Sequence, residues 1–332
     1  MKDCSRDIGN YHDDRVQLTP RQKTELRNRR DANRNRVRDG LKDAGDPLPI
    51  KFVAQGSFAM GTTIQEPARN YDIDDGVVFS QESLKGPRYA DKTALEARHM
   101  VRDAVDDDAF NKSPEIRKNC VRVFYNDGPH VDLPVYRQVA TADQHYELAS
   151  SDWKVSDPEG VNAWFKDCLD RAGEKGRVQL RRLIRLLKSF CANRPSYSLP
   201  SGFVLTVLCQ EQYWIHDERL DRDFRSMLQR IYERLCQDLY VRHPVVDEWL
   251  INEDSSHKTD KLRDLLKTAL DDMDVLDRKN CTRSKALRVW KKVLVTDYFD
   301  KDIEQAEEDE KAATSAAVAS IGVVPKPYGH TQ

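Results

Sequence analysis

The sequence predicts an α+β protein with a sheet-containing N-terminal portion and an all-helical C-terminal portion. Short segments rich in Val, Ile, Phe and Tyr, a composition typical of strands, occur at about 50–54, 71–79, 119–125 and 129–136. From about residue 156 onward apolar residues recur at helical spacing, so we expect helices there and no strand. The expected helices are 158–171, 176–192, 199–214, 219–242, 258–279 and 283–297.

A long helix is expected before the first strand. Thr19 followed by Pro20 is a typical helix start, because threonine caps the first turn and proline fits its first position. Helical spacing then continues to Leu41. A second helix is expected at 94–101, and the turn at 126–129 makes a hairpin of the last two strands.

These patterns divide the chain into four parts. We expect an N-terminal segment at 1–18, a core with its long helix at 19–155, a helical domain at 156–300 and a flexible tail at 301–332. The tail is acidic, then alanine-rich, and then contains glycines and prolines, a composition typical of mobile termini. The length of 332 residues suits about two domains of roughly 150 residues each.

Composition narrows the class of protein. Lys and Arg total 54 against 56 Asp and Glu, a net charge of −2, which argues against a general nucleic-acid coat protein. No apolar run approaches the ~18 residues of a membrane span, and the first residues lack the apolar segment of a secretory signal. The seven cysteines are dispersed, so we expect reduced, packed thiols rather than zinc ligands, and a cytoplasmic location.

Asp72 and Asp74 are the most informative pair of residues. They stand two apart in a strand-like run, so both side chains project from the same face, whereas Asp75 projects from the other. Like charges in one site raise each other's pKa. A divalent cation offsets that repulsion, and oxygen ligands suit Mg²⁺ or Mn²⁺.

Two further segments extend this pair to a candidate site. Asp132 lies between apolar strand residues, where an unpartnered carboxylate is costly to bury, and a neighbouring strand would bring it to Asp72 and Asp74. Three clustered carboxylates can hold two metal ions roughly 4 Å apart. Gly56 and Ser57 form a small-residue turn that can hold a phosphate. Each piece alone is also typical of a solvated strand edge, a cap or an ordinary turn; their combination favours catalysis.

The combination resembles a known family. Gly56-Ser57, then Asp72-Ile73-Asp74-Asp75-Gly76, then Val131-Asp132-Leu133 resembles the polymerase-β-type nucleotidyltransferase superfamily. The fuller runs at 55–62 and 70–76 resemble its bacterial cGAS/DncV-like branch, whose members make cyclic oligonucleotides in anti-phage (CBASS) signalling. The resemblance covers roughly residues 20–300. It implies a polymerase-β-like core with a mixed sheet, followed by the helical domain.

The resemblance also implies roles for particular residues. Asp72 and Asp74 would be ligands of both metal ions and Asp132 of the ion on the nucleophile side, while Gly56 and Ser57 would contact the triphosphate. Lys188 and Ser201 stand where relatives hold the triphosphate with a lysine and a helix-opening serine. Charge pattern alone leaves another interpretation of Lys188, as part of a solvated basic face with Arg181 and Arg185.

The implied activity is Mg²⁺-dependent synthesis, with Mn²⁺ as an alternative, of an adenine-containing cyclic di- or trinucleotide from NTPs, ATP being favoured. Two alternatives stay open: a linear nucleotidyltransferase acting on RNA, protein or a small molecule, and a non-catalytic nucleotide-binding regulator. The chain lacks the Cys/His insertion of animal relatives, so we expect no direct sensing of double-stranded DNA. The segment 321–327 is a candidate docking motif for an accessory regulatory protein, although an inert tail fits it equally.

Overall fold

Strands of one mixed sheet form the centre of the N-terminal portion. The structure, a computed structural model, describes residues 1–65, 71–86, 90–107, 110–140, 145–214 and 219–321, the last four of these as backbone only. Within these residues eight strands join in the order β3-β4-β5-β2-β6-β7-β8, with β1 also paired to β2. The strands are β1 (Lys51–Gln55), β2 (Asp72–Ser80), β3 (Glu115–Ile116), β4 (Val121–Phe124), β5 (His130–Leu133), β6 (Val135–Val139), β7 (His145–Ala149) and β8 (Trp153–Val155).

β5 and β6 run along one edge of β2 as a single interrupted strand. Both are parallel to β2, and their register continues unbroken from the Asp72–His130 pair to the Ser80–Gln138 pair. Pro134 separates them because proline has no N–H for the ladder, although its carbonyl still accepts from Val77 N at 2.8 Å. The predicted strand at 129–136 is therefore present and extends to Val139.

Two helices cover one face of this sheet. They are α2 (Pro20–Ala44) and α4 (Ala94–Val105). Both begin with a capping box, in which Thr19 and Thr93 accept from the third backbone N–H of their helices. Apolar residues of both helices pack with Ile73, Val77 and Phe79 of β2 in one hydrophobic core. The other face of β2, which carries Asp72 and Asp74, is left to the cleft.

The C-terminal portion is built on long helices that share a second core. The helices are α5 (Pro158–Ala192), α6 (Gly202–Glu211), α7 (Leu220–Gln237), α8 (His257–Met273), α9 (Arg283–Leu294) and α10 (Asp300–Ile321). Two predicted helices are the two halves of α5, which is kinked at Gly173, where φ is +71°. The N-terminal α1 (Ser5–Tyr11) and the π-helical turn His12–Val16 pack into this core.

The α+β fold class with a helical C-terminal half is confirmed, but two expectations for that half are wrong. A short antiparallel pair, β9 (Val241–Arg242) and β10 (Trp249–Ile251), interrupts the helices where none was expected. The predicted flexible tail instead begins with α10, because Phe299, Ile303 and Ala306 are buried. The docking motif proposed at 321–327 lies almost wholly outside the described residues. The domain boundaries stay predictions.

In the described part of the chain, no helix combines the length and the apolar character needed to cross a membrane. The seven cysteines are free thiols there, and all except Cys236 are buried. Burial raises the pKa of the Cys4 and Cys191 thiols to about 12, so these thiols remain protonated at neutral pH. Their packing agrees with the core role expected from the sequence.

Candidate active site

A cleft of about 600 Å³ separates the sheet from α5 and α6. On the sheet side it is lined by Asp72 and Asp74 of β2, and by Gly56 and Ser57 of the one-turn helix α3 (Gly56–Met60). On the helical side Lys188 contributes from α5. The structure therefore brings together in one cleft five of the residues selected from the sequence.

The third predicted carboxylate is brought to the same place by strand register. Asp132 of β5 is aligned with Asp74 of β2, and His130 is aligned with Asp72. Single ligand atoms of Asp72, His130 and Asp132 all lie within 4.8 Å of one another. The sequence interpretation did not select His130, although its spacing of two from Asp132 places both on one strand face. That spacing is the signal that could have identified it.

The electrostatics of this cluster are unfavourable without a cation. Burial raises the pKa of Asp74 well above its usual value, and the charges of Asp72 and Asp132 raise it further. Burial followed by Asp132 raises the pKa of Asp72 as well. The Asp72 side chain is 35% exposed, but this exposure is to the interior of the cleft, so the carboxylate is still poorly solvated. Such clustered carboxylates are typical of cation sites.

Asp132 already has one cationic partner. Arg122 of β4 stands directly across from it, and Nε and a terminal nitrogen of Arg122 donate to its two oxygens at 2.8 and 2.7 Å. Each carboxylate oxygen has a second lone pair, so this contact leaves acceptor capacity toward the cleft. The geometry thus permits Asp132 to bind Arg122 and a metal ion together.

The donor set fits a divalent cation. His130 Nε2 is buried, has no hydrogen-bond partner in the described structure, and lies 3.7 Å from Asp72 Oδ2. A buried imidazole nitrogen without a partner is costly, and a bound cation would satisfy it. Carboxylate oxygens suit Mg²⁺ and Mn²⁺, and an imidazole nitrogen is also accepted by transition metals. Asp72, Asp74, Asp132 and His130 are therefore the residues that could hold a metal here.

Glycine at position 56 is required by the carboxylate behind it. Gly56 has φ of +68°, a conformation that other residues rarely adopt. A Cβ atom there would lie 2.0 Å from Asp74 Oδ2, so a larger residue would collide with the cluster. The Ser57 hydroxyl is 2.9 Å from that of Thr63 across the same turn. The predicted glycine-serine turn and the aspartates are thus in direct contact.

Lys188 enters the cleft from the helical side and is buried, with 8% exposure. Its Nζ donates to Thr62 Oγ1 at 3.0 Å and to the Thr62 carbonyl at 3.3 Å. Burial lowers the pKa of Lys188 to about 8, and Asp72 and Asp74 are among the charges that oppose this shift. The ammonium is therefore mostly charged at neutral pH. The interpretation of Lys188 as part of a solvated basic face is wrong.

Ser201 is placed less directly. It is the N-cap of α6, and its Oγ accepts from Val204 N at 3.4 Å. Ser201 is exposed, whereas its neighbours Pro200 and Gly202 line the cleft. Gly202 lies against Lys188, since a Cβ there would be 3.2 Å from Lys188 Cε. The phosphate contact expected of Ser201 therefore stays a prediction.

An aromatic residue that the sequence did not single out stands at the rim of the cleft. Tyr197 lines it and is 43% exposed, and Lys261 Nζ lies 4.5 Å from its ring centroid. Arg194 lines the same wall and lies over the ring of Phe190 at 3.8 Å. The exposed ring of Tyr197 can stack against a planar ligand. The terminal nitrogens of Arg194 already donate to the carbonyls of Phe190 and Val293, at 2.6 and 2.8 Å, which fixes this part of the wall.

Comparison with known proteins agrees with this geometry. Residues 50–136 match the family model described as cyclic GMP-AMP synthase DncV-like, nucleotidyltransferase domain. A c-di-GMP synthase of Roseivirga ehrenbergii is 21% identical over 226 residues. That match covers 59% of this chain and 57% of the relative, so the chain spans a little over half of that curated protein.

Two solved structures share the fold across nearly the whole chain. The Vibrio cholerae DncV cyclic AMP-GMP synthase, in complex with a linear intermediate, is 17% identical with a TM-score of 0.69, over 88% of this chain and 95% of that one. The E. coli MS115-1 CdnC structure with ATP is 17% identical with a TM-score of 0.67, over 89% and 98%. Residues 50–136 therefore match a DncV-like nucleotidyltransferase domain, and the chain has the fold of DncV and CdnC.

Proposed function

We propose that this chain synthesises a cyclic di- or trinucleotide second messenger from NTPs, with Mg²⁺ as its metal and Mn²⁺ as a substitute. The observation that carries the proposal is a cleft lined by Asp72, Asp74, the glycine turn and a buried lysine, with Asp132 aligned beside Asp74 on the next strand. The clustered aspartates suit a metal ion, and the buried ammonium of Lys188 suits phosphate groups, so a metal-bound nucleotide would complement both.

The reaction is the transfer of a nucleotidyl group. A 2′ or 3′ hydroxyl of one nucleotide attacks the α-phosphate of another; an O–P bond forms, the bond to pyrophosphate breaks, and the hydroxyl proton passes to water or to a carboxylate of the cluster. When bound, the metal supplies positive charge to the phosphate oxygens and the attacking hydroxyl. Asp72, Asp74 and Asp132, together with His130, would hold that charge in place. Such catalysis depends mainly on positioning and electrostatics.

The rest of the cleft provides contacts for the nucleotide. Lys188 and the backbone at Gly56 and Ser57 face the triphosphate, and Ser201 is a further contact if its hydroxyl turns from the helix cap. Tyr197 and Arg194 form the wall on which a base can stack. All of these residues except Ser201 line the cleft, which supports one ligand spanning both domains.

The product is proposed to contain adenine, and ATP is the favoured substrate. The relatives differ in this respect: one is called a c-di-GMP synthase, one a cyclic AMP-GMP synthase, and CdnC was solved with ATP. Resemblance to the cGAS/DncV-like branch supports a role in anti-phage defence. Double-stranded DNA is not expected to change the activity, since the chain lacks a Cys/His insertion.

Product analysis tests the proposal directly. The protein is incubated with all four NTPs and Mg²⁺, treated with phosphatase, and the products are identified by mass spectrometry. We expect a phosphatase-resistant product whose mass is that of a cyclic di- or trinucleotide, absent when EDTA is added. A phosphatase-sensitive product would instead identify a linear transferase. No turnover of any NTP, with nucleotide still bound, would identify a regulator.

The C-terminal residues are proposed as the place where an accessory protein docks. The exposed part of α10 at 311–317 leads toward the motif at 321–327. Pull-down of the purified accessory candidate by the full chain, and by a chain lacking residues 311–332, tests this. Equal capture by both chains would overturn it.

A further inference from the structure

Three basic side chains of α5 hold three consecutive carbonyls of the turn that follows Gly56. Arg181 Nε donates to the Met60 carbonyl at 2.9 Å, and Arg185 donates to the Gly61 carbonyl at 3.1 Å. Lys188 completes the series at the Thr62 carbonyl. These residues, spaced four and three apart on one helix face, are called the basic ladder below, and residues 56–63 the 56–63 turn.

The carbonyls that the basic ladder binds need partners. The last carbonyls of a helix receive no hydrogen bond from a backbone N–H of that helix, and cationic side chains commonly donate to them instead. Met60 ends α3, and Gly61 follows in the left-handed conformation with φ of +68°. A Cβ at Gly61 would lie 3.2 Å from Arg181 Nε, so the turn and the ladder pack closely.

The basic ladder is more strongly charged than this capping role requires. Arg185 is 7% exposed and Lys188 is 8% exposed. In the described part of the chain their hydrogen bonds go to neutral partners: His12 and the Gly61 carbonyl for Arg185, and Thr62 for Lys188. The carboxylates of Asp13, near Arg185, and of Asp72 and Asp74, near Lys188, act on these cations through space. Burying cations against neutral carbonyls is expensive when a neutral donor would do. Two buried cations whose hydrogen bonds go to neutral groups therefore favour an anionic ligand above the turn, in the cleft that Ser57, Thr63 and Lys188 line.

A residue from the N-terminal segment holds Arg185 in place. Arg185 Nε donates to His12 Nε2 at 3.1 Å, and His12 Nδ1 lies 2.6 Å from Asp13 Oδ1. This network assigns the ring proton to Nδ1. The same segment contacts the chain just after the turn, where Gln65 N donates to the Val16 carbonyl at 2.8 Å. The turn is thus fixed between α5 and the N-terminal segment.

We propose that Arg185 is a positioning residue for the donor triphosphate, acting through the Gly61 carbonyl and oriented by His12. It fixes the 56–63 turn and adds positive potential beneath it, without contacting the nucleotide. This inference rests on the proposed function, because it assumes that the turn binds phosphate. It links the N-terminal segment, which lies outside the predicted core, to the active site.

Nucleotide affinity and steady-state kinetics of Arg185 variants test the proposal. The probe is α,β-methylene-ATP with Mg²⁺, measured by titration calorimetry, alongside KM and kcat for ATP. We expect Arg185→Met to raise both Kd and KM at least tenfold, with kcat changed less than threefold. Arg185→Lys keeps the charge and should recover part of the affinity. Arg177→Met, which removes a half-exposed arginine of α5 paired with Asp170, is the matched control and should bind as the wild type does.

His12 variants provide a test that does not alter α5. His12→Gln retains an acceptor for Arg185, and His12→Phe removes it; we expect affinity to fall severalfold more in the second variant. If Arg185→Met fails to fold, this pair decides the matter alone. Unchanged Kd and KM in Arg185→Met, or equal affinity in the two His12 variants, would overturn this inference. The proposed function would still stand if the wild type bound the nucleotide. Absence of binding by the wild type would overturn both.

Discussion

The two faces of β2 carry aspartates that the fold treats in opposite ways. Asp74 projects into the cleft, where its nearest charged neighbours include Asp72 and Asp132. Asp75 projects from the other face, is 0% exposed, and accepts two hydrogen bonds of 2.6 Å from Arg34 of α2. Asp75 therefore has an arginine partner on the core face, whereas Asp74 has further carboxylates near it on the cleft face.

This difference separates a structural charge from a functional one. Burial raises the pKa of Asp75 even though Arg34 opposes the shift, so the ion pair offsets only part of the desolvation cost. On the cleft face the repulsion is left for a ligand to relieve. The carboxylate of Asp75 is paired with an arginine, whereas that of Asp74 lies among other carboxylates. Unrelieved repulsion of this kind in a cleft is typical of a ligand-binding site.

The largest expected effect is on the cleft face. Asp74→Asn should reduce nucleotide turnover roughly 10³-fold or more, because it removes charge that stabilises the transition state. The same change should leave the free energy of unfolding unchanged or raise it by about 1 kcal/mol, since it relieves repulsion among buried carboxylates. Turnover and urea unfolding measured on one preparation check both. A large loss of stability would show that Asp74 is structural and break the comparison.

The opposite result is expected on the core face. Asp75→Asn should lower the free energy of unfolding by roughly 3 kcal/mol, because it leaves the Arg34 guanidinium half-buried without its counter-charge. Activity per folded molecule should remain within a few-fold of wild type at a temperature below the transition. Arg34→Met should destabilise similarly, and the double variant by less than the sum. Strict additivity would contradict a direct ion pair.

His12 is a buried titratable group that differs from both Asp74 and Asp75, because its surroundings keep it neutral. Burial, followed by Arg185, lowers its pKa to about 4, while Asp13 opposes the shift and Arg182 adds to it. Between about pH 4 and 6.5 the unfolded chain therefore binds more protons at this position than the folded one. Stability is fully present above pH 6.5 and is lost as the pH falls toward 4.

The measurement is the difference between wild type and His12→Gln, which cannot titrate. From pH 7 to pH 5 the wild type should lose about 2 kcal/mol of unfolding free energy more than the variant. Urea unfolding at several pH values gives this difference directly. Parallel stability curves for the two proteins would show that His12 titrates normally in the folded state.

The sequence predicted local features of the cleft better than the contacts across it. Strand periodicity was enough to place Asp72 and Asp74 on one face and Asp75 on the other, because side-chain direction depends only on residue spacing. Cap chemistry located the start of α2 at Thr19 in the same way. Each of these two features depends only on residues that are close together in the sequence.

Arg185 was missed because its partner lies far along the chain. Arg185 looked like part of a solvated face, since its carbonyl partner at Gly61 lies 124 residues away. The strands β3, β7, β8, β9 and β10 were missed for a different reason. Their partners can be close along the chain, as β6 is to β7, but strands of two to five residues are defined by pairing more than by composition. The buried side of α10 has only a few apolar residues, which its acidic composition concealed.

The smallest effect is expected at the end of α10, where structural and exposed residues can be separated. Glu310 accepts hydrogen bonds from Ser284 N and Oγ at 2.9 and 2.8 Å, while residues 311–317 are exposed. Removal of residues 311–332 should therefore change turnover less than twofold and the unfolding midpoint by no more than about 2 °C. Glu310→Gln should cost about 1 kcal/mol, because it weakens a charge-assisted contact that ties α10 to α9. If the truncated chain lost activity while its unfolding midpoint stayed the same, residues beyond 310 would act on the cleft, and the separation between the cleft face of β2 and the end of α10 would fail.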